Sequence, residues 1–195
     1  MDLIELANAV KDIFPEDTIW GVLGESMGAA TAMMAIPEIP WLSFGVEDAG
    51  YTDLHSEITA AIKYKAKLPE IPFTLVIAYY IKRFEYYSDD DVFPIDSVKK
   101  TDIPMLFIHG GQDQLVPTRN VYDLYEAKAD KKMIHVFEDV PHAKSALMHQ
   151  DEYTELIREF CTEFGIIGNF KTEIPESRFT DDYAAFLNRQ EALNR

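Results

Sequence analysis

The sequence predicts an α/β fold: a mainly parallel sheet with helices on both faces and a small helical cap insertion. Three observations point to it. Short, almost wholly apolar runs such as "IPMLFIHGG" alternate with amphipathic helical stretches, the pattern of strands buried on both sides. Two of those runs end in glycine turns, "GESMG" and "HGGQD". Between about residues 54 and 95 the alternation gives way to two successive helical patterns, which mark the insertion.

Taken in order, residues 2 to 14 place Leu3, Leu6, Ala7, Val10, Ile13 and Phe14 on one helical face, and Pro15 closes that helix. Ile19 to Leu23 reads as a buried strand, Ala29 to Ala35 as a helix of small residues and methionine, and Trp41 to Val46 as a second strand. "EDAGYTD" suits a loop. In the insertion, helical stretches near 55–66 and 72–87 carry Phe73, Tyr79, Tyr80, Phe84, Tyr86 and Tyr87, a stripe that suits either packing or an apolar substrate wall. Ile103 to His109 is the next buried strand, and "TRNVYDLYEAKA" is a helix with Val121, Leu124 and Tyr125 inward. "KKMIHVFEDV" is another strand, "PHAKS" a loop, and 150–164 a helix capped by Gly165. Residues 1–165 are expected to form the domain, and 166–195 a C-terminal extension with one helix bearing Tyr183, Phe186 and Leu187.

A chain of 195 residues, 47% hydrophobic and 12% aromatic, suits a globular domain with a substantial core. Its 18 basic and 34 acidic residues give −16, a surface that repels phosphate backbones and anionic lipid. Nucleic acid and membrane are therefore not expected partners. Cys161 is the single cysteine, so no intrachain disulfide can form, and its place on the apolar face of the last helix makes it a small core residue. With no leader pattern at Met1, a cytoplasmic location is expected.

The chemistry centres on "GVLGESMG". A nucleophilic serine belongs at the tip of a strained strand-to-helix turn, with glycines two before and two after, where backbones pass closely. Gly24 and Gly28 hold those places around Ser26, and the Met27 backbone N–H would face a developing oxyanion. The bland alternative is a glycine-rich turn with an incidental serine.

Serine needs a base and an orienting acid, which in a doubly wound sheet lie on loops after later strands, acid before base. The strand "MLFIHGG" delivers Asp113 and the strand "MIHVFEDV" delivers His142, each into its own loop and in that order. Asp139 closes the strand before His142 and is badly placed to orient it. His109 and His135 belong to strands, His149 to the last helix and His55 to the insertion. No HExxH-like ligand spacing occurs, so neither metal nor cofactor is expected.

At these residues the sequence resembles the α/β-hydrolase superfamily, in particular bacterial serine esterases and serine-aminopeptidase-like hydrolases. "GESMGAATAM", "VEDAGYTD", "IPMLFIHGGQDQLVPT" and "VPHAKS" look like that group's successive motifs, over about residues 1–165. The resemblance implies Ser26 as nucleophile, Asp113 as acid, His142 as base, a cap over about 54–95, and a small ester or peptide-like substrate.

In that family about five strands precede the elbow, whereas here one does. The resemblance therefore implies a C-terminal portion of such a hydrolase, without the loop that gives the second oxyanion N–H. Losing one such donor costs about 10²–10³ in turnover. Two readings follow. One is a serine hydrolase of carboxylic esters, amides or thioesters. The other is a catalytically incompetent fragment acting as a folded or oligomerising domain, paired through an exposed sheet edge or the C-terminal helix.

Overall fold

In the computed structural model, which describes residues 2–11, 13–84 and 91–166, the alternating runs become one four-stranded sheet. Strands β1 (Gly21–Glu25), β2 (Phe44–Asp48), β3 (Met105–Gly110) and β4 (Lys132–Phe137) stand side by side in chain order. Every neighbouring pair is parallel, with Val46 opposite both Leu23 and Leu106, and Ile108 opposite His135. The helices are α1 (Asp2–Lys11), α2 (Met27–Ala35), α3 (Leu54–Ala60), α4 (Glu70–Phe84), α5 (Pro94–Val98), α6 (Arg119–Ala127), α7 (Ser145–Met148) and α8 (Gln150–Glu163).

β3 is the strand around which the two layers are built, and all six of its residues are buried. Its side chains alternate between the faces of the sheet. Met105 and Phe107 pack with Met33 of α2, Val98 of α5, and Val121 and Leu124 of α6. Leu106 and Ile108 pack on the other side with Val46, Phe137, and Tyr153, Leu156, Phe160 and Cys161 of α8. The thiol of Cys161 is thus a core group, and burial pushes its pKa up. α8 ends as its sequence requires: Gly165 takes φ +66°, and the Gly165 and Ile166 N–H groups bond back to Thr162 and Cys161 carbonyls at 3.2 and 2.7 Å.

Two strands sit later than hydrophobicity places them. β1 runs to Glu25 instead of ending at Leu23, and β2 runs Phe44–Asp48 instead of Trp41–Val46. The physical reason is that Trp20 and Trp41 are shielded without joining a ladder. Their rings meet edge to face at 5.5 Å beside the first core layer. The acidic residues at the strand ends are meanwhile drawn into the sheet.

The insertion begins at Asp53, whose carboxylate accepts the Ser56 N–H at 2.7 Å and caps α3. α3 passes through a π-helical turn, Ala61–Lys65, before α4. The aromatic stripe of α4 does not form a substrate wall: Tyr79, Tyr80 and Phe84 are exposed to solvent. Tyr86, Tyr87 and the expected C-terminal helix with Tyr183, Phe186 and Leu187 lie outside the described residues. No helix among the described residues is long and apolar enough to cross a membrane.

Glu47 is the least comfortable core residue. It is wholly buried, one carboxyl oxygen accepts the Gly50 N–H at 2.9 Å, and the other has no partner. Burial is the main cause that raises its pKa from 4.5 to about 8. Folding therefore binds a proton between those values, so stability present below about 4.5 is lost as pH rises toward 8. Glu47→Gln removes this titration. The stability of the variant relative to wild type should climb between pH 5 and pH 8, by up to about 1.4 kcal/mol per pH unit, in urea unfolding. An unchanged difference across that range would refute the assignment.

Candidate active site

The site lies at the carboxyl ends of the four strands, where β1, β3 and β4 each hand the chain to a loop. Ser26 occupies the turn between β1 and α2 with φ 55° and ψ −120°, a strained conformation for a side-chain-bearing residue. Its N–H is held by the Asp48 carbonyl at 2.8 Å, which ties the turn to β2. The turn is as tight as its glycine implies: a Cβ at Gly24 would lie 2.2 Å from the Gly28 carbonyl oxygen. Gly28 itself is different from expectation. A Cβ there would meet nothing within 4 Å, so the close approach constrains residue 24 alone.

The Ala29 and Ala30 N–H groups turn back to the Ser26 carbonyl at 3.0 and 3.2 Å. The Met27 N–H precedes them in the first turn of α2, where no intrahelical acceptor exists and the helix dipole is positive.

Asp113 follows β3. The loop that carries it presses against the loop after β4, because residue 110 lacks a side chain; a Cβ at Gly110 would lie 2.2 Å from the Val140 carbonyl oxygen. The Gln112 N–H then bonds to that same carbonyl at 3.0 Å. Oδ1 of Asp113 accepts the Leu115 and Val116 N–H groups at 2.8 and 2.9 Å, and Oδ2 accepts His142 Nδ1–H at 2.7 Å. Burial pushes this carboxyl upward, but the donors from His109, His142, Leu115 and Val116 outweigh it and hold it far below the usual carboxylate range.

His142 completes the line. The Ser26 hydroxyl donates to its Nε2 at 2.9 Å. The bond to Asp113 is the largest cause that raises the His142 pKa, against burial and with Glu57 and Glu25 adding to it. Ala143, just beyond, takes φ 54°, so the backbone at this histidine is strained as it is at Ser26. A cavity of about 490 Å³ opens beside His142, lined by Tyr64, Lys65, Gln112, Gln114, Leu115 and Pro141.

All three side chains singled out from the sequence thus meet in one hydrogen-bonded line. Of the rival histidines, His149 and His135 pair away from this line, whereas His109 lies 3.3 Å from Asp113 Oδ2. Asp139 pairs with His149 at 2.9 Å, and His135 lies 3.6 Å from Glu152 on α8. Sequence reasoning missed Glu57 of α3, whose carboxyl burial raises to about 7, with one oxygen buried and unpartnered. The only advance signal was its place one turn after the cap Asp53. It also missed Asp48, which accepts the Ser145 hydroxyl at 3.2 Å and which burial pushes up to about 6. Among the described residues, no three His, Cys, Asp or Glu side chains are grouped to hold a metal ion.

A parallel α/β sheet with a strained serine turn and an Asp-His pair at its carboxyl edge defines the serine hydrolase class. The model of the family described as Serine hydrolase (FSH1) matches residues 2–146, and the chain belongs to that family. "Uncharacterized protein YqkD" of Bacillus subtilis is 26% identical over 161 residues, which are 82% of this chain and 53% of that protein. The esterase Pf2001 of Pyrococcus furiosus superposes with a TM-score of 0.63 at 26% identity, covering 83% of this chain and 60% of that one. An acylaminoacyl peptidase of Pyrococcus horikoshii shares the fold, with a TM-score of 0.62 at 18% identity over 83% of this chain and 27% of that one. The chain thus spans about half the length of YqkD and 60% of that of Pf2001.

The glycine geometry gives opposite expectations for two alanine substitutions. Gly24→Ala must push the turn apart and should destabilise by about 1–3 kcal/mol. Gly28→Ala has open space in a helix and should be neutral or stabilising by up to about 1 kcal/mol. Thermal unfolding of the two variants tests the pair, and equal losses would contradict the geometry.

Proposed function

We propose that this member of the serine hydrolase family is an esterase of small carboxylic esters that works through Ser26, His142 and Asp113. The observation that carries the reading is the unbroken hydrogen-bonded line, 2.9 Å from Ser26 to His142 and 2.7 Å from His142 to Asp113. In this mechanism Ser26 Oγ attacks the ester carbonyl while His142 Nε2 takes its proton. The tetrahedral oxyanion forms against the Met27 N–H, and the imidazolium returns its proton to the leaving alcohol. Water, activated by the same His142, then hydrolyses the acyl-enzyme. Asp113 keeps the proton of the resting imidazole on Nδ1 and stabilises the imidazolium. No step calls for a cofactor. Amides and thioesters fit the same chemistry, and the esterase neighbour at 26% identity favours esters. The cavity beside His142, with Tyr64, Leu115 and two glutamines, suits a small group of mixed polarity.

Incubation with a fluorophosphonate probe, followed by peptide mass spectrometry, tests the reading. An adduct on Ser26 that His142→Ala reduces by about 10³ or more supports it. Absence of any adduct on Ser26 in the folded chain sinks it.

A second reading, in which the chain serves as an oligomerising unit, is favoured by the exposure of Leu23 on β1, the edge strand among the described residues, and of Met27 at the start of α2. It requires a dimer or larger assembly in light scattering at micromolar concentration, lost in Leu23→Lys. A monomer at that concentration removes it.

A further inference from the structure

His109 is the fifth residue of β3, four before Asp113, and it is wholly buried. Its Nε2 lies 3.0 Å from the Val116 carbonyl oxygen and 3.3 Å from Asp113 Oδ2. A carbonyl only accepts, so the proton is on Nε2; its hydrogen bond goes to Val116, with Asp113 Oδ2 a longer second neighbour of the same N–H. Oδ2 is the oxygen that takes His142 Nδ1–H at 2.7 Å, while Oδ1 is occupied by the Leu115 and Val116 N–H groups. The carboxylate therefore sits between two histidines on one oxygen and two backbone amides on the other.

The other nitrogen of His109, Nδ1, is buried and has no hydrogen-bond partner. Leaving such a group unpaired carries a desolvation cost that an apolar side chain in the same strand position would avoid. A residue present only to fill the core would be Leu, Phe or Met, like its neighbours on β3. An imidazole that breaks this local rule beside a reactive group marks a functional position.

We infer that His109 is a positioning residue for Asp113: its Nε2–H fixes Oδ2 toward His142 and takes up part of the carboxylate charge, thereby setting how basic Asp113 is toward the imidazole. The inference rests on the proposed catalytic roles of Ser26, His142 and Asp113. It has a signed consequence. His142 must be uncharged to accept the Ser26 proton, so its titration sets the acid limb of the pH–rate profile. With the His109 donor removed, Asp113 holds more charge, the imidazolium is favoured, and the acid limb moves to higher pH. Other groups also face this site: Glu25 from β1, Asp48 from β2, Glu57 from α3, and Lys65 from the π-helical turn. None of them changes in the variants below, so the displacement reports the His109 donor.

His109→Phe, His109→Gln and wild type are compared in hydrolysis of p-nitrophenyl acetate across pH, with thermal unfolding. The His142 ring is titrated in parallel by ¹⁵N NMR of the full chain. For His109→Phe the expected result is kcat lower by about tenfold, short of the ~10²-fold of a 1 Å misplacement, with KM within about twofold. Its acid limb and its NMR midpoint should both rise by about half a pH unit. His109→Gln, which keeps an N–H donor, should return both midpoints to wild type. A folded His109→Phe chain with unmoved midpoints, or a His109→Gln chain displaced as far as His109→Phe, overturns the inference. Where His109→Phe fails to fold, His109→Met is measured against the same criteria. If wild type hydrolyses no ester, the esterase reading fails alone, and the His142 NMR midpoint still decides the role of His109.

Discussion

The hydrogen bond from His142 to Asp113 is the contact on which the rest of the site depends. It closes a loop of 29 residues between two strands' ends and is made by a carboxylate with no exposed surface. A buried carboxylate is costly unless paired and hydrogen-bonded on every side, and here Leu115 and Val116 of the loop that carries it supply the donors to Oδ1 while His142 supplies one to Oδ2. That loop can reach the loop after β4 only because residue 110 is glycine, so backbone packing brings the two side chains together before any electrostatic term operates. Ser26 is then placed by a separate constraint, the strained turn tied to the Asp48 carbonyl. Three loops thus converge because three parallel strands end at the same edge of one sheet.

The electrostatics of that edge are lopsided. Glu25, Glu57 and Asp113 all favour a charged His142, and the bond to Asp113 is the largest contributor. This suits a reaction in which the imidazole becomes cationic as the tetrahedral intermediate forms, since the field is in place beforehand and need not reorganise. The same field has a cost in the resting protein. Glu47, Asp48 and Glu57 all sit where their ionised forms are disfavoured by burial. Each is ionised as pH rises, so their contribution to stability falls toward alkaline pH.

Much of this was legible in the residues themselves. The parallel sheet follows from continuous apolar runs, and β3 with its six buried residues is the clearest case. Ser26, Asp113 and His142 could each be placed on a post-strand loop, because strand and turn are both written locally in the sequence. What local patterns could not convey were choices made by distant neighbours. Trp20 and Trp41 look like strand residues but meet each other edge to face instead. The α4 aromatics look like a wall but face solvent, and among the described residues of the insertion it is Tyr64 and Lys65, from the π-helical turn, that line the cavity. Gly24 and Gly28 look alike in the motif, yet one is crowded and the other open.

His109 shows where such reading stops and why. In sequence it is a strand-end histidine before a glycine pair, for which a core or turn role is the natural assignment, and it is indeed buried in the core. Burial and function are not alternatives here. Its bond to the Val116 carbonyl shapes the same turn whose amides hold Asp113, so one ring braces both the loop backbone and the carboxylate. A hydrophobicity scale registers only that the position is enclosed, whereas the chemistry depends on which nitrogen carries the proton and which oxygen it faces. That information exists only once four strands have fixed the two histidines on the same carboxylate oxygen. The proposed hydrolase site is therefore five residues and not three: Ser26 and its turn, His142, Asp113, and the two groups, His109 and Glu57, that lie where they act on the charges of the others.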